Sequence, residues 1–312
     1  MRKLLRSGIR AGLRPFESWI IGTNEDLPFP PIFIISPPRS GSTLLYLLAV
    51  RKFHLAYLSN FSVTCPESPA ALTLLGAPFG VCSGGASLQN SFGETTGWSA
   101  PNQGYRVWNR WFPTDRDYLE PSSIPAAARR QIHQTIAAIE RVAGAPFINK
   151  WQRNTARVQV LHAVFPEALF LHLQRDPIMT AQSILLARRK LLADEAEWFS
   201  AMPRSYVPGR GKSHLRQAAE QVALLEKDLE EDRKLIGEDR FFVLDYEELC
   251  QNADLALDTF ASWYANRSGI QLRSRKALNM TLTGSNAMQI SNAEIAEIGR
   301  IFDEFQFKFR RA

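Results

Sequence analysis

The run from Pro31 to Leu45 restricts this chain more than any other feature. Ile32, Phe33, Ile34 and Ile35 are apolar without alternation, the pattern of a strand covered on both faces. Ser36–Pro37–Pro38–Arg39–Ser40–Gly41 follows as a tight loop, and Ser42–Thr43–Leu44–Leu45 opens a helix. A buried strand that feeds a helix through such a loop belongs to a parallel sheet flanked by helices, an α/β arrangement. The loop sets backbone N–H groups and a helix N-terminus around a place for an anion.

Aligned with the phosphate loop of ATPases, G-x-x-x-x-G-K-[ST], the segment has Ser36 for the first Gly, Gly41 for the second, Ser42 in place of Lys, and Thr43 last. The Lys that reaches the β- and γ-phosphates is missing, and no strand-terminal carboxylate stands out as a magnesium partner. A magnesium–ATP mechanism is disfavoured. Arg39 supplies a forked cation for a phosphate or sulfate, and Ser40, Ser42 and Thr43 add hydroxyls.

A second strand–loop–helix unit begins at Ala168. Leu169–Gln174 is mostly apolar, Asp176 suits an N-cap and Pro177 a first helical residue. Arg175 stands at the strand's end and Ser183 eight residues later, so both can reach a site at the carboxyl edge of the sheet, where open α/β sheets bind ligands. Phe147–Ile148–Asn149–Lys150 reads as a strand ending in Lys, 25 residues before Arg175. Phe241–Asp245 reads as a late strand, followed by Tyr246–Glu247–Glu248–Leu249.

These pieces resemble the sulfotransferases that use 3′-phosphoadenosine 5′-phosphosulfate (PAPS). Pro38–Arg39–Ser40–Gly41–Ser42–Thr43 is similar to their 5′-phosphosulfate loop, and Arg175–Asp176–Pro177 with Ser183 to their 3′-phosphate motif. Asn149–Lys150 resembles a pair found in the membrane-type and bacterial members, whose Lys contacts the bridging oxygen of the leaving group. Charge builds on that oxygen as the S–O bond breaks, so a cation there is chemically apt. Tyr246 matches a Tyr that lies near the nucleotide. The resemblance covers roughly residues 30–55 and 146–310 and implies a phosphate-loop NTPase-like sulfotransferase fold, PAPS as cosubstrate, adenosine 3′,5′-bisphosphate as product, and no metal.

An acceptor must also lose a proton, and a general base is expected. The tyrosylprotein enzymes carry a Glu about 21 residues past the loop Arg, but the matching place here is near Asn60, which is no base. The remaining candidates are Glu67, 28 residues past Arg39, as the glycan N-sulfotransferases place theirs; Glu94, in a long loop; and His54, after the first helix. Each also reads as an ordinary solvated or capping residue. The acceptor, whether small molecule, glycan or lipid, stays open. Two rivals remain: a phosphate-loop kinase of small molecules or nucleotides, and a non-catalytic nucleotide-binding relative.

The 312 residues show no internal repeat and no long linker, so a single domain over 1–312 is expected. The elements expected are strand 32–36, helix 43–52, helix near 67–76, helix 124–143, strand 146–149, helix 154–164, strand 169–174, helix 177–193, helix 214–236, strand 241–245 and helix 253–265. A final helix opens on the capping box of Ser291 and Glu294. Residues 80–122 and 200–213 break this rhythm and read as acceptor-site loops. Trp98, Trp108, Trp111 and Trp151 fall in or just after the first, as stacking walls or as local core.

Net charge is +6, which suits a polyanionic cosubstrate but is too diffuse for nucleic acid. Cys65, Cys82 and Cys250 form neither a metal motif nor a disulfide framework, and a reducing cytoplasm fits. No secretory signal or apolar run of membrane-spanning length is read in the sequence. Residues 1–28 form a basic arm with a helical pattern, Leu4, Leu5, Ile9, Leu13 and Phe16 among Arg2, Lys3, Arg6, Arg10 and Arg14, which suits packing on the domain or on a partner subunit, or peripheral contact with an anionic membrane. Homo-oligomerisation is left open.

Overall fold

The apolar run at the start of the chain becomes an inner strand of the sheet. A computed structural model describes residues 2–22, 26–84, 88, 90–91, 93–195, 197–207, 212–280, 282 and 287–307, without the side chains of residues 2–11, 90 and 91. Ile32–Ile35 (β1) pairs in parallel with Ile148–Lys150 (β4) on one side and Leu169–Gln174 (β5) on the other, and Phe241–Asp245 (β6) pairs in parallel with β5. The sheet order is therefore β4-β1-β5-β6. Asn90–Ser91 (β2) and Glu94–Thr95 (β3) make a separate antiparallel hairpin.

Helices carry the connections. Arg2–Ile21 (α1) precedes β1; Ser42–Lys52 (α2), Pro69–Gly76 (α3), Tyr105–Trp108 (α4) and Ala126–Ala143 (α5) lie between β1 and β4. Val158–Val164 (α6) crosses to β5, and Pro177–Leu191 (α7) and His214–Ile236 (α8) lead to β6. Tyr246–Gln251 (α9), Ala253–Ser268 (α10) and Asn292–Glu304 (α11) follow, the last opened by the expected capping box of Ser291 and Glu294. The single α/β domain with a parallel sheet between helices is thus the observed architecture.

Side-chain alternation along the strands builds two cores. Ile32 and Ile34 of β1 with Leu169, Leu171 and Leu173 of β5 face α2, α9 and α10. Phe33 and Ile35 with Phe170 face α4, α5 and α6. A third cluster joins α7, α8 and α11. Because all four strands of this sheet run parallel, their carboxyl ends share one edge, and the loops leaving that edge carry the motifs read in the sequence.

One expected helix differs from the sequence pattern. The expected helix over 154–164 is a 3₁₀ turn, Gln152–Ala156, and then α6. Tertiary bonds override local propensity here. Thr155 accepts from the Ser36 N–H at 3.1 Å and donates to the Ser36 C=O at 2.8 Å, while Gln152 Nε2 donates to the same C=O at 2.7 Å. The turn therefore clamps the first residue of the phosphate loop. The N-terminal arm is helical as α1, and its end is docked on the domain. Glu17 is buried and accepts from the N–H groups of Ala70 (3.2 Å) and Ala71 (2.6 Å), donors that the first turn of α3 leaves unpaired. Trp19, two residues on, is 73% exposed. Among the described residues no helix is long and apolar enough to cross a membrane.

Candidate active site

The sheet's carboxyl edge opens into a cleft of about 720 Å³. Its floor is the loop from Ser36 to Thr43. Two residues there lie at positive φ: Arg39 at 68° and Gly41 at 95°. Arg39 is costly in that region, and such strain persists only where the surroundings impose it. Gly41 is required twice over: besides its φ, a Cβ there would lie 2.4 Å from Cε2 of Tyr246. The loop thus turns tightly beneath the Tyr246 ring, with Gly41 as the N-cap residue of α2. Ser40 Oγ donates to the Pro37 C=O at 2.9 Å, closing the turn.

The second motif lands on the first. Arg175, at the end of β5, is 8% exposed, stacks its guanidinium 4.6 Å from the Tyr246 ring centroid and donates from Nη1 to the Arg39 C=O at 3.1 Å. Asp176 caps α7 by accepting from the Met179 N–H at 3.0 Å, which fixes the helix that presents Ser183. Ser183 Oγ accepts from Arg39 Nε at 3.2 Å. Two motifs 136 residues apart therefore meet through Arg39 and Arg175. Burial, and then the charge of Arg175, lower the affinity of Arg39 for its proton. An anion bound between them relieves that repulsion. Burial pushes the Tyr246 hydroxyl up to about 12, so the ring serves as a neutral platform. Asp245 ends β6, and its Oδ1 accepts from the Glu248 N–H at 3.0 Å as the cap of α9.

Lys150 reaches the same cleft from the end of β4 and is 5% exposed. Burial, and secondarily the charge of Arg39, lower its pKa from the usual 10.5 to about 7. Its amine donates to Gln103 Oε1 at 3.4 Å. Beside it, the tip of the β2–β3 hairpin places Gly93 against the phosphate loop, where a Cβ would lie 3.6 Å from Thr43 Oγ1 and 3.7 Å from Lys150 Nζ.

The opposite wall comes from both irregular loops. Asp115, Arg116 and Asp117 from the first, and Ser200–Ala201–Met202 from the second with Trp198 just before it, line the cleft with Trp151 and Arg153. Asp117 ties the two loops together: Oδ1 pairs with Arg153 Nε at 2.9 Å and Oδ2 accepts from the Met202 N–H at 2.7 Å. Gln221 adds two bonds of 2.7 Å to the carbonyls of Phe199 and Ala201. Part of the second loop, 208–211, lies outside the described residues. Of the tryptophans, Trp151 borders the cleft, Trp108 is core, Trp111 packs against that core and Trp98 is exposed beside Phe61 and Phe79.

Pro38, Arg39, Gly41, Ser42, Thr43, Lys150, Arg175, Ser183 and Tyr246 all line this cleft, with buried Ser40 inside the turn. The three residues expected as bases lie elsewhere. Glu67 borders a separate recess of about 420 Å³ with Arg14, Glu17 and Arg110. His54 is half-buried near Arg273 and Arg275, and burial lowers its pKa. Glu94 is exposed on β3, one residue beyond Gly93 but outside the cleft lining. The carboxylates that do line the cleft are Asp115 and Asp117, which sequence reasoning passed over. Their charge cluster in a loop otherwise rich in Gly, Ser and aromatics was the available signal. Among the described residues no three His, Cys, Asp or Glu side chains gather as metal ligands.

The family model described as "Sulfotransferase family" matches residues 30–259. The sulfotransferase STF9 from Mycobacterium avium is structurally similar at a TM-score of 0.56 and 16% identity, covering 92% of this chain and 79% of its own. The sulfotransferase STF1 from Mycobacterium tuberculosis is similar at 0.51 and 14%, covering 93% and 78%. At these identities the structures share the fold. No curated protein sequence matches significantly.

Proposed function

The chain belongs to the sulfotransferase family, and we propose that it moves a sulfuryl group from PAPS to a hydroxyl or amine of an acceptor. What carries this reading is the junction of Arg39, Ser183, Arg175 and Tyr246 at one sheet edge, with Lys150 buried in the same cleft. The cationic and hydroxyl lining suits a ligand with phosphate at both ends of a nucleoside, and Ser42 in place of the ATPase Lys suits one without a γ-phosphate.

In this reading Ser40, Gly41, Ser42 and Thr43 hold the 5′-phosphosulfate on the N-terminal turn of α2, whose dipole favours negative charge. Arg39 neutralises it, Pro38 shapes the turn, and Arg175 with Ser183 takes the 3′-phosphate over the Tyr246 ring. The acceptor oxygen or nitrogen forms a bond to sulfur as the bond from sulfur to the bridging phosphate oxygen breaks. Lys150, protonated, balances the electron pair left on that oxygen. The acceptor's proton passes to Asp115, the cleft carboxylate that among the described residues pairs with its exposed neighbour Arg116 alone, since Asp117 is committed to Arg153 and Met202. Positioning and charge carry the rate, with no metal step.

The test is release of adenosine 3′,5′-bisphosphate from PAPS without magnesium, against panels of phenols, sugars, lipid alcohols and amines. Release that falls about 100-fold in Lys150→Ala is expected. Consumption of magnesium–ATP with no release from PAPS would move the kinase reading forward. Tight bisphosphate binding with no turnover on any panel would favour a binding protein.

A further inference from the structure

We propose that Gln103 is the positioning residue of Lys150, a neutral side-chain amide that aims the buried amine into the cleft and couples it to the hairpin tip at Gly93. The inference rests on the role assigned to Lys150 above.

Among the described residues Lys150 Nζ has one hydrogen-bond partner, Gln103 Oε1 at 3.4 Å. That length leaves the amine steered rather than locked, as suits a donor that must turn onto a leaving oxygen. The same oxygen accepts from the Gln152 N–H at 3.3 Å, and Gln103 Nε2 donates to the Gly93 C=O at 3.3 Å. The Gln103 main chain is fixed as well: its C=O accepts from Asn149 Nδ2 at 3.2 Å, and Asn149 Oδ1 accepts from Asn154 Nδ2 at 3.0 Å. Asn149 and Lys150, on opposite faces of β4, thus grip the backbone and the side chain of one residue. Gln103 also contacts the hairpin tip, since a Cβ on Gly93 would lie 3.1 Å from its Nε2.

A long side chain ending in an amide meets these demands. The side chain must accept from a cation and from an N–H, and donate to a carbonyl. A carboxylate lacks the donor and would hold the amine as a fixed ion pair, turned from the cleft. A thioether lacks the donor and accepts only weakly. The charged groups around the amine are Arg39 from the phosphate loop and, on the opposite wall, Asp115, Arg116, Asp117 and Arg153. With Gln103 neutral, the charge of Lys150 remains available to an incoming anion.

The experiment reads the titration of Lys150 in the nucleotide-free protein by NMR with ¹³C-labelled lysine, the signal assigned by its loss in Lys150→Met. Gln103→Glu is expected to raise the midpoint by about one pH unit or more, and Gln103→Met to lower it. Midpoints within about 0.3 unit of wild type in both folded variants would overturn the inference. Should Gln103→Glu fail to fold, Gln103→Met, uncharged and of similar volume, decides alone. No nucleotide enters this measurement. Shifted midpoints in a protein that fails to bind adenosine 3′,5′-bisphosphate would therefore sink the PAPS reading and leave the positioning of Lys150 intact.

Discussion

Nucleotide binding should draw a proton into the cleft, and the size of that uptake follows from Lys150. Its pKa is lowered from 10.5 to about 7 by burial and by Arg39. In the free protein at pH 8 the amine is charged about one-tenth of the time, and at pH 6 about nine-tenths. An anion seated against it restores the charge. Adenosine 3′,5′-bisphosphate should therefore bind with uptake of about 0.9 proton at pH 8 and about 0.1 at pH 6. Affinity should weaken by up to about tenfold per pH unit above 7, or ~1.4 kcal/mol. The same shift acts on stability. A lysine whose folded pKa is depressed binds fewer protons folded than unfolded between about 7 and 10.5, so unliganded stability gains from Lys150 as pH rises through that window. Calorimetry in two buffers of different ionisation enthalpy gives the uptake, and subtracting Lys150→Met removes the ionisation of the phosphates themselves. Uptake below about 0.2 at pH 8, or equal uptake in Lys150→Met, would refute the reasoning.

Gly41→Ala should lose about 2–4 kcal/mol of stability in denaturant titrations, from the 95° φ and from the contact with Tyr246. In a Tyr246→Ala background Gly41→Ala should cost less, the clash being gone and the backbone strain kept, so an equal cost in both backgrounds would contradict the packing account. Asp117→Asn should cost about 1–3 kcal/mol and speed proteolysis between Trp198 and Met202, because it weakens the joint bond to Arg153 and the Met202 N–H. Unchanged proteolysis would mean that Gln221 holds that loop without help.

What was legible in the sequence was what the backbone dictates locally. Pro38 to Thr43 had to turn sharply after a buried strand, and Arg175 and Ser183 were bound to a capped helix with a fixed period. Parallel strands then delivered both motifs to one edge. The expected helix over 154–164 starts late because Thr155 and Gln152 bond to Ser36 across 119 and 116 residues rather than within a helix of their own. The base candidates fall outside the cleft lining for a related reason. Glu67 is singled out by its distance along the chain from Arg39 and His54 by following the first helix, whereas the chain turns Glu67 toward α1 and His54 toward Arg273 and Arg275. Asp115, Asp117 and Gln103 sit in a loop whose path no local pattern sets. Buried Arg157 threads it by donating to the carbonyls of Pro113, Arg116 and Asp117.

PAPS recognition is tested most directly by the worth of the 3′-phosphate. Adenosine 3′,5′-bisphosphate and adenosine 5′-monophosphate are titrated without magnesium into the wild-type protein, Arg175→Ala and Ser183→Ala. Wild type should prefer the bisphosphate by about 100-fold or more, ~2.7 kcal/mol, the scale of a forked guanidinium–phosphate contact with a hydroxyl beside it. The preference should shrink to under about tenfold in Arg175→Ala and weaken in part in Ser183→Ala. Equal binding of the two nucleotides by the wild-type protein would contradict the assignment of Arg175 and Ser183 to a 3′-phosphate, and with it the choice of PAPS.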